Sequence, residues 1–324
     1  MMTEKELLNL INDMASDEHI YKEESFTNED SPSWLAYRQA EELEDITMIP
    51  YLANLLEKTK DRETRMHIYF ILGKIGTNTE ERHVADILLK GLETETNKYV
   101  LEQILNALAE QRNVEEFSTI IIKFLDDDRS SIRHAAIEAL NGCKNKIAED
   151  ALIQIISESS DEYDLIYASS VLSEIGSDRA IPHLINLLNH PKGDVKCTVI
   201  GTLIELGNSS LLPVFLKALQ DRSVYVKGYA MLAINRHGNE TAIPAVIERL
   251  KSMLKRKRKI VSDDLITGLE FLIRYKEHNK EIRDLYEWIK SRKSEVLFEE
   301  EMDWMNTHSY SENIHDKVSN QNKS

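Results

Sequence analysis

Residues 251–259 (KSMLKRKRK) hold six bases, Lys251, Lys255, Arg256, Lys257, Arg258 and Lys259, and no acid. A cluster of this kind can contact phosphate or nucleic acid, or dock an acidic segment. A solvated loop is the plainer reading, and the acidic stretch 299–303 (EEEMD) is an internal candidate to fold back onto it. His308 and His315 with Asp316 have ligand types for a metal, but they lie in a polar tail whose composition points to solvent. Cys197 would be a nucleophile only if its thiol were activated. Beyond Lys196 nothing near it in sequence does that, so a packed structural cysteine is expected. The chain has no GxGxxG, P-loop, HExxH, CxxC or GxSxG. No catalytic residue, metal or cofactor is assigned, and the expectation is a protein that is not an enzyme.

The net charge of −16 is unevenly placed. Residues 1–45 carry thirteen acids against Lys5, Lys22 and Arg38, a balance of −10. Residues 295–324 carry seven against Lys317 and Lys323, a balance of −5, which leaves the body near −1. Net acidity opposes nonspecific nucleic-acid binding and favours a basic partner, although solubility and capping explain acidic ends equally simply. Cys143 and Cys197 suggest no disulfide framework and a reducing, cytoplasmic setting. The first residues (MMTEKELLNLINDM) show no signal peptide pattern, and no run approaches 18 apolar residues, so neither secretion nor a membrane span is expected.

The elements that must position these residues repeat about every 31 to 36 positions. Pro182, Pro213 and Pro244 are 31 apart, as are Gly176, Gly207 and Gly238. Each unit reads as a helical hairpin, which cannot bury its apolar face alone and must stack on copies of itself. First helices are expected near 47–58, 83–93, 114–125, 148–157, 180–189, 210–220 and 242–254. Second helices are expected near 62–75, 97–110, 130–142, 162–175, 193–206, 223–236 and 262–275. Leu72, Leu108, Leu140, Leu172, Leu203 and Ile234 are their core anchors, with a looser seventh near Leu272. Pro50, Pro182, Pro213 and Pro244 suit a first helical turn. Gly76, Gly176, Gly207 and Gly238 suit left-handed C-caps. The organisation expected is an acidic N-terminal helical cap (1–45), a repeat solenoid (46–276), a C-terminal capping helix (277–305) and a disordered tail (306–324).

Segments 124–140 (FLDDDRSSIRHAAIEAL) and 218–234 (ALQDRSVYVKGYAMLAI) resemble HEAT repeats, of the short bacterial type found in phycobilisome-lyase-like proteins. The resemblance covers residues 47–275. It implies an all-α fold, a right-handed α-α superhelix of about seven helical hairpins with helical end caps. It also implies a ladder of acid–base pairs six residues apart, Asp127 with Arg133 and Asp221 with Lys227, interrupted where Leu101 and Leu165 replace the base. Catalytic relatives fit poorly. None of the ten histidines precedes a glutamate, as an iron-binding hydroxylase of this kind would need. Trp34, Trp288 and Trp304 all lie outside the repeats, unlike a HEAT-like glycosylase. No chromophore-specific motif supports a lyase.

In such solenoids the second helices line the concave, partner-binding face. Helical register places one strip there: Met66, Phe70 and Gly73; Glu102 and Asn106; His134, Glu138 and Asn141; Ile166, Ser170 and Ser173; Cys197, Gly201 and Ile204; Gly228, Leu232 and Asn235. Small and apolar residues dominate it, which suits a helical or extended segment of another protein. The leading expectation is a protein-binding scaffold, adaptor or regulator. The alternatives are a nucleic-acid or phosphoprotein binder through Lys255, Arg256, Lys257, Arg258 and Lys259, and thirdly a lyase- or glycosylase-type enzyme.

Overall fold

The computed structural model describes residues 2–18, 31–111, 115–259 and 262–308. By internal contacts the chain divides into two compact units, residues 1–180 and 181–324. Both are helical, and the hairpin pattern read from the sequence is present in each.

The first unit opens with α1 (Glu4–Met14) and α2 (Pro32–Glu41). Then come the pairs α3 (Ile49–Lys58) and α4 (Arg62–Thr79), α5 (Arg82–Thr94) and α6 (Lys98–Ala109), α7 (Ser118–Ile121) and α8 (Ser130–Ala139), and α9 (Lys146–Glu158) and α10 (Glu162–Ile175). The second unit contains α11 (Ile181–Leu187) and α12 (Gly193–Leu206), α13 (Leu212–Ala218) and α14 (Val224–His237), and α15 (Ile243–Met253) and α16 (Asp264–Ile273). It ends with α17 (Lys280–Arg292) and α18 (Glu299–His308).

Second helices stack side by side: α4 on α6, α6 on α8 and α8 on α10 in the first unit, α12 on α14 and α14 on α16 in the second. Their anchors explain why. Leu72, Leu108, Leu140, Leu172, Leu203, Ile234 and Leu272 are all completely buried. Each such side chain contributes roughly 1.5–3 kcal/mol on leaving water. A repeating anchor therefore yields a repeating core. Pro50, Pro213 and Pro244 occupy the first turns of α3, α13 and α15, where no hydrogen bond is lost.

Four local expectations need correction. Gly176, Gly207 and Gly238 do follow second helices, but with extended rather than left-handed backbone, and Gly76 lies inside α4. Glycine serves another purpose at two of them. A Cβ on Gly207 would collide with the Leu203 carbonyl and the Leu211 side chain, and one on Gly238 with the Ile234 carbonyl. The first helix of repeat three shrinks to the four residues of α7 between 3-10 turns, over a run of β-branched side chains (Thr119, Ile120, Ile121, Ile122) that disfavours helix. The single capping helix expected over 277–305 is broken into α17 and α18. At that break the Phe298 amide donates to Glu301 Oε2 at 2.9 Å, so Glu301 starts a new helix instead of continuing the old one. Lastly, Asn306, Thr307 and His308 belong to α18, whereas residues 309–324, with His315 and Asp316, lie outside the described residues. His308 stacks on Trp304, with ring centroids 4.1 Å apart, and its Nδ1 lies 2.8 Å from the Trp304 carbonyl oxygen.

Candidate functional site

The expected acid–base pairs take other partners. Arg133 does not meet the Asp127 carboxylate. It donates to the Asp127 carbonyl at 3.0 Å, while its Nε and Nη2 reach Asp164 and Asp161, each at 3.1 Å. Asp127 pairs with Arg129 instead, which holds its carboxyl down to about 2. Asp221 pairs with Lys196 of the preceding repeat at 2.5 Å, not with Lys227. Arg65 likewise pairs forward with Glu95. In repeats one, three and five the fourth residue of the second helix is basic and reaches one repeat onward, whereas Lys227, at that position in α14, forms no ion pair among the described residues. Leu101 and Leu165, at that position in repeats two and four, are buried apolar. His134 joins one of these networks. Single ligand atoms from His134, Asp161 and Asp164 lie within 4.8 Å of one another, a spacing that a metal would accept. The Arg133 guanidinium already rests on both carboxylates and supplies the positive charge there.

The predicted strip divides by accessibility. Asn106, Glu138, Asn141, Ser170 and Leu232 are exposed. Met66, Phe70, Glu102, His134, Ile166, Ser173, Gly201, Ile204, Gly228 and Asn235 are half-buried. Cys197 and Gly73 are buried and cannot meet a partner: Gly73 packs on Ala107 of α6, and Cys197 lies in the α12 core. Burial pushes the Cys197 thiol up to about 11, with Asp194 and Asp221 adding to the effect and overriding the pull of Lys196. Phe70 is met edge-on by Tyr37 of α2 at 5.1 Å, so the N-terminal pair of helices occupies the start of the strip.

Two grooves gather part of what remains, while Met66, Glu102, His134, Ile166, Gly201, Ile204 and Asn235 line neither. In the first unit, Asn106, Glu138, Asn141, Ser170 and Ser173 line a groove of about 680 Å³ between α6, α8 and α10, together with Glu110 and Glu174. Glu110 is held by Lys74 at 2.7 Å. Glu138 is exposed as a residue, but partial desolvation of its carboxyl raises it from its ordinary value, and His134 partly opposes that.

In the second unit, Gly228 and Leu232 of the strip and Arg258 and Lys259 of the basic cluster line one groove of about 620 Å³. Its floor is α14, which presents Val224 (57% exposed), Tyr225 (74%), Tyr229 (41%) and Leu232 (44%). A Cβ on Gly228 would meet nothing within 4 Å, so the floor is open there. Helical register places Gly228 and Leu232 on this face from sequence but not the two tyrosines. The signal was available: 225, 229 and 232 form a second apolar stripe beside the core stripe of Val226, Ala230, Ala233 and Ile234.

The charges around this groove differ in their freedom. Arg249 pairs with the buried Asp264 at 2.5 Å, and Ser262 Oγ also donates to Asp264. Arg258 is not a free member of the cluster. It pairs with Glu301 of α18, only 1% exposed, and lies 4.9 Å over the Phe298 ring. The acidic stretch therefore does fold back onto the basic run, through one residue. Lys255, Arg256, Lys257 and Lys259 stay exposed and form no ion pair among the described residues.

The HEAT-repeat family model matches residues 118–195, 149–227 and 181–261. No curated protein matches the sequence. Among solved structures, the Escherichia coli protein YibA is 20% identical with a TM-score of 0.55, over 88% of this chain and 99% of that one. The complex of CpcE and CpcF of phycocyanin lyase from Nostoc is 19% identical over 75% of this chain and 94% of that one, with a TM-score of 0.43. An engineered protein is 17% identical over 89% and 85%, with a TM-score of 0.48. Among the described residues no helix is long and apolar enough to cross a membrane. Residues 118–261 of this chain are HEAT repeats, carried within an all-α array of helical hairpins.

Proposed function

We propose that this protein is a non-enzymatic scaffold that binds another protein through the exposed face of its second helices, with the α14–α16 groove as the principal site. One observation carries the reading. Val224, Tyr225, Tyr229 and Leu232 form a contiguous exposed apolar face that lines one groove. Large exposed apolar patches rimmed by polar residues mark interaction sites, and tyrosine in particular combines contact area with a polar tip. The buried carboxylates support a structural rather than a chemical use: Asp164, Glu149, Asp264 and Glu301 are each paired with an arginine. A cytoplasmic setting suits Cys143 and Cys197, which are buried and form no disulfide.

The test is a comparison of baits in lysate of the source cell, with nuclease present. The natural protein should retain a stoichiometric protein partner that Tyr225→Ser with Leu232→Ser loses, while both unfold at the same temperature. Identical retained sets would sink the reading. The nucleic-acid alternative has its own support in the exposed Lys255, Arg256, Lys257 and Lys259, but Arg258 is withdrawn from it and the net charge of −16 opposes it. Recovery of nucleic acid and no protein, without nuclease, would favour it.

A further inference from the structure

We infer that the occupant of the α14–α16 groove is a short peptide segment with apolar anchors followed by acidic residues; this rests on the protein-binding reading and names its ligand class. The apolar part follows from the floor. From Val224 to Leu232 the helix rises about 12 Å, the reach of roughly two helical turns or four extended residues. The segment contacting it is therefore short, and Tyr225, Tyr229 and Leu232 present one side for two or three anchors.

The acidic part follows from which charges are free. Two of the three arginine and lysine side chains lining the groove, Arg249 and Arg258, are neutralised by buried Asp264 and Glu301. Lys259 is not, and Lys255, Arg256 and Lys257 stand in the same loop without partners among the described residues. Lys259 on the lining and three more positive charges in its loop thus stand without ion pairs among the described residues, while the exposed acid on the lining is Asp263. The lining also holds the N-termini of α14 and α16, whose amides add to the positive potential. On a chain of net charge −16 this local reversal of sign selects an acidic ligand end and orients it toward the loop. Duplex nucleic acid would use the loop but leave the tyrosine floor bare, and single strands, whose bases could stack on the tyrosines, are opposed by the chain's net charge of −16. An acid-rich apolar segment uses both.

The experiment is selection of a random twelve-residue peptide library on the full-length protein, followed by fluorescence anisotropy of the enriched peptides. The expected consensus holds two or more aromatic or aliphatic residues with acids to one side. Binding should weaken about tenfold or more in Tyr225→Ser with Leu232→Ser, as for loss of interface anchors. It should weaken about tenfold in Lys255→Glu with Lys257→Glu and Lys259→Glu, and fall as salt rises. Tyr225→Phe should retain it, and circular dichroism checks that every variant is folded. Enriched peptides without acids, or indifference to the charge reversal, would overturn the acidic class and leave the groove reading standing. Peptides indifferent to Tyr225 and Leu232, or no enrichment, would overturn both. Two further outcomes also defeat the inference. One is a dimer in sedimentation that the charge reversal dissociates, which would give the groove to a second copy. The other is a fluorescent oligonucleotide that binds through the lysines alone.

Discussion

The α6–α8–α10 groove and the α14–α16 groove are built on equivalent positions of second helices, yet they offer opposite chemistry. The first is lined by Glu110, Glu138 and Glu174 among amides and hydroxyls. The second has an apolar floor of Val224, Tyr225, Tyr229 and Leu232 and a rim of lysines. The cores beneath are alike, since Leu108, Leu140 and Leu172 bury as completely as Ile234 and Leu272. What the repeat conserves physically is the buried stripe; what it leaves free is the stripe beside it. The task of such a protein is therefore written in side chains that the fold does not need.

The walls differ too, and this sets the largest expected effect. Arg258 pairs with a Glu301 that is only 1% exposed, so Arg258→Met strands a buried carboxylate. A loss of about 3–5 kcal/mol in urea unfolding is expected. Hydrogen exchange should place the opening in α18. A loss below about 1 kcal/mol would mean that Glu301 is hydrated in solution. The matching pair at the other groove, Lys74 with Glu110, is partly exposed, and Lys74→Met should cost no more than about 1 kcal/mol. Equal costs would erase the distinction between the two walls.

The floors can be separated by a dye that fluoresces on apolar surfaces. Tyr225→Ser with Leu232→Ser should lower the folded protein's dye signal and alter stability by about 0.5 kcal/mol or less, because neither side chain is buried. Ser170→Ala with Ser173→Ala, in the polar groove, should leave the signal unchanged. A signal undiminished in the first variant would place the apolar surface elsewhere.

How much of this was legible beforehand follows from the range of each interaction. Helical spacing is local, so the anchors from Leu72 to Leu272 and all seven hairpins could be read directly. The pairing of Arg133 with Asp161 and Asp164, or of Lys196 with Asp221, spans 25 to 31 residues and depends on how one repeat meets the next. The family resemblance instead implied partners six residues away, and those carboxylates pair elsewhere. Glycine misled in a similar way. Its position was right after α10, α12 and α14 but not at Gly76, which lies inside α4, and at Gly207 and Gly238 the reason is a crowded carbonyl, which no pattern displays. Half of the second groove was read from two unrelated signals, the strip that gave Leu232 and the charge run that gave Lys259. Only folding showed that they meet.

The smallest expected effect tests the polar groove alone. Partial desolvation raises the Glu138 carboxyl above its unfolded value, so between the two values the folded state binds more proton than the unfolded one. Stability contributed by this group is then present at low pH and declines as pH rises through that window, reaching its full cost above the folded value. His134 moderates the penalty when charged, and part of the carboxyl faces water, so the net effect is small. Glu138→Gln removes the charge and should raise the melting temperature slightly at pH 7, with the advantage shrinking as pH falls toward 4. A variant less stable at pH 7 would show that Glu138 is held by a favourable partner and that the polar groove carries less unbalanced negative charge than its lining indicates. No such window is expected from the α14–α16 groove, where the buried carboxylates are already matched by Arg249 and Arg258.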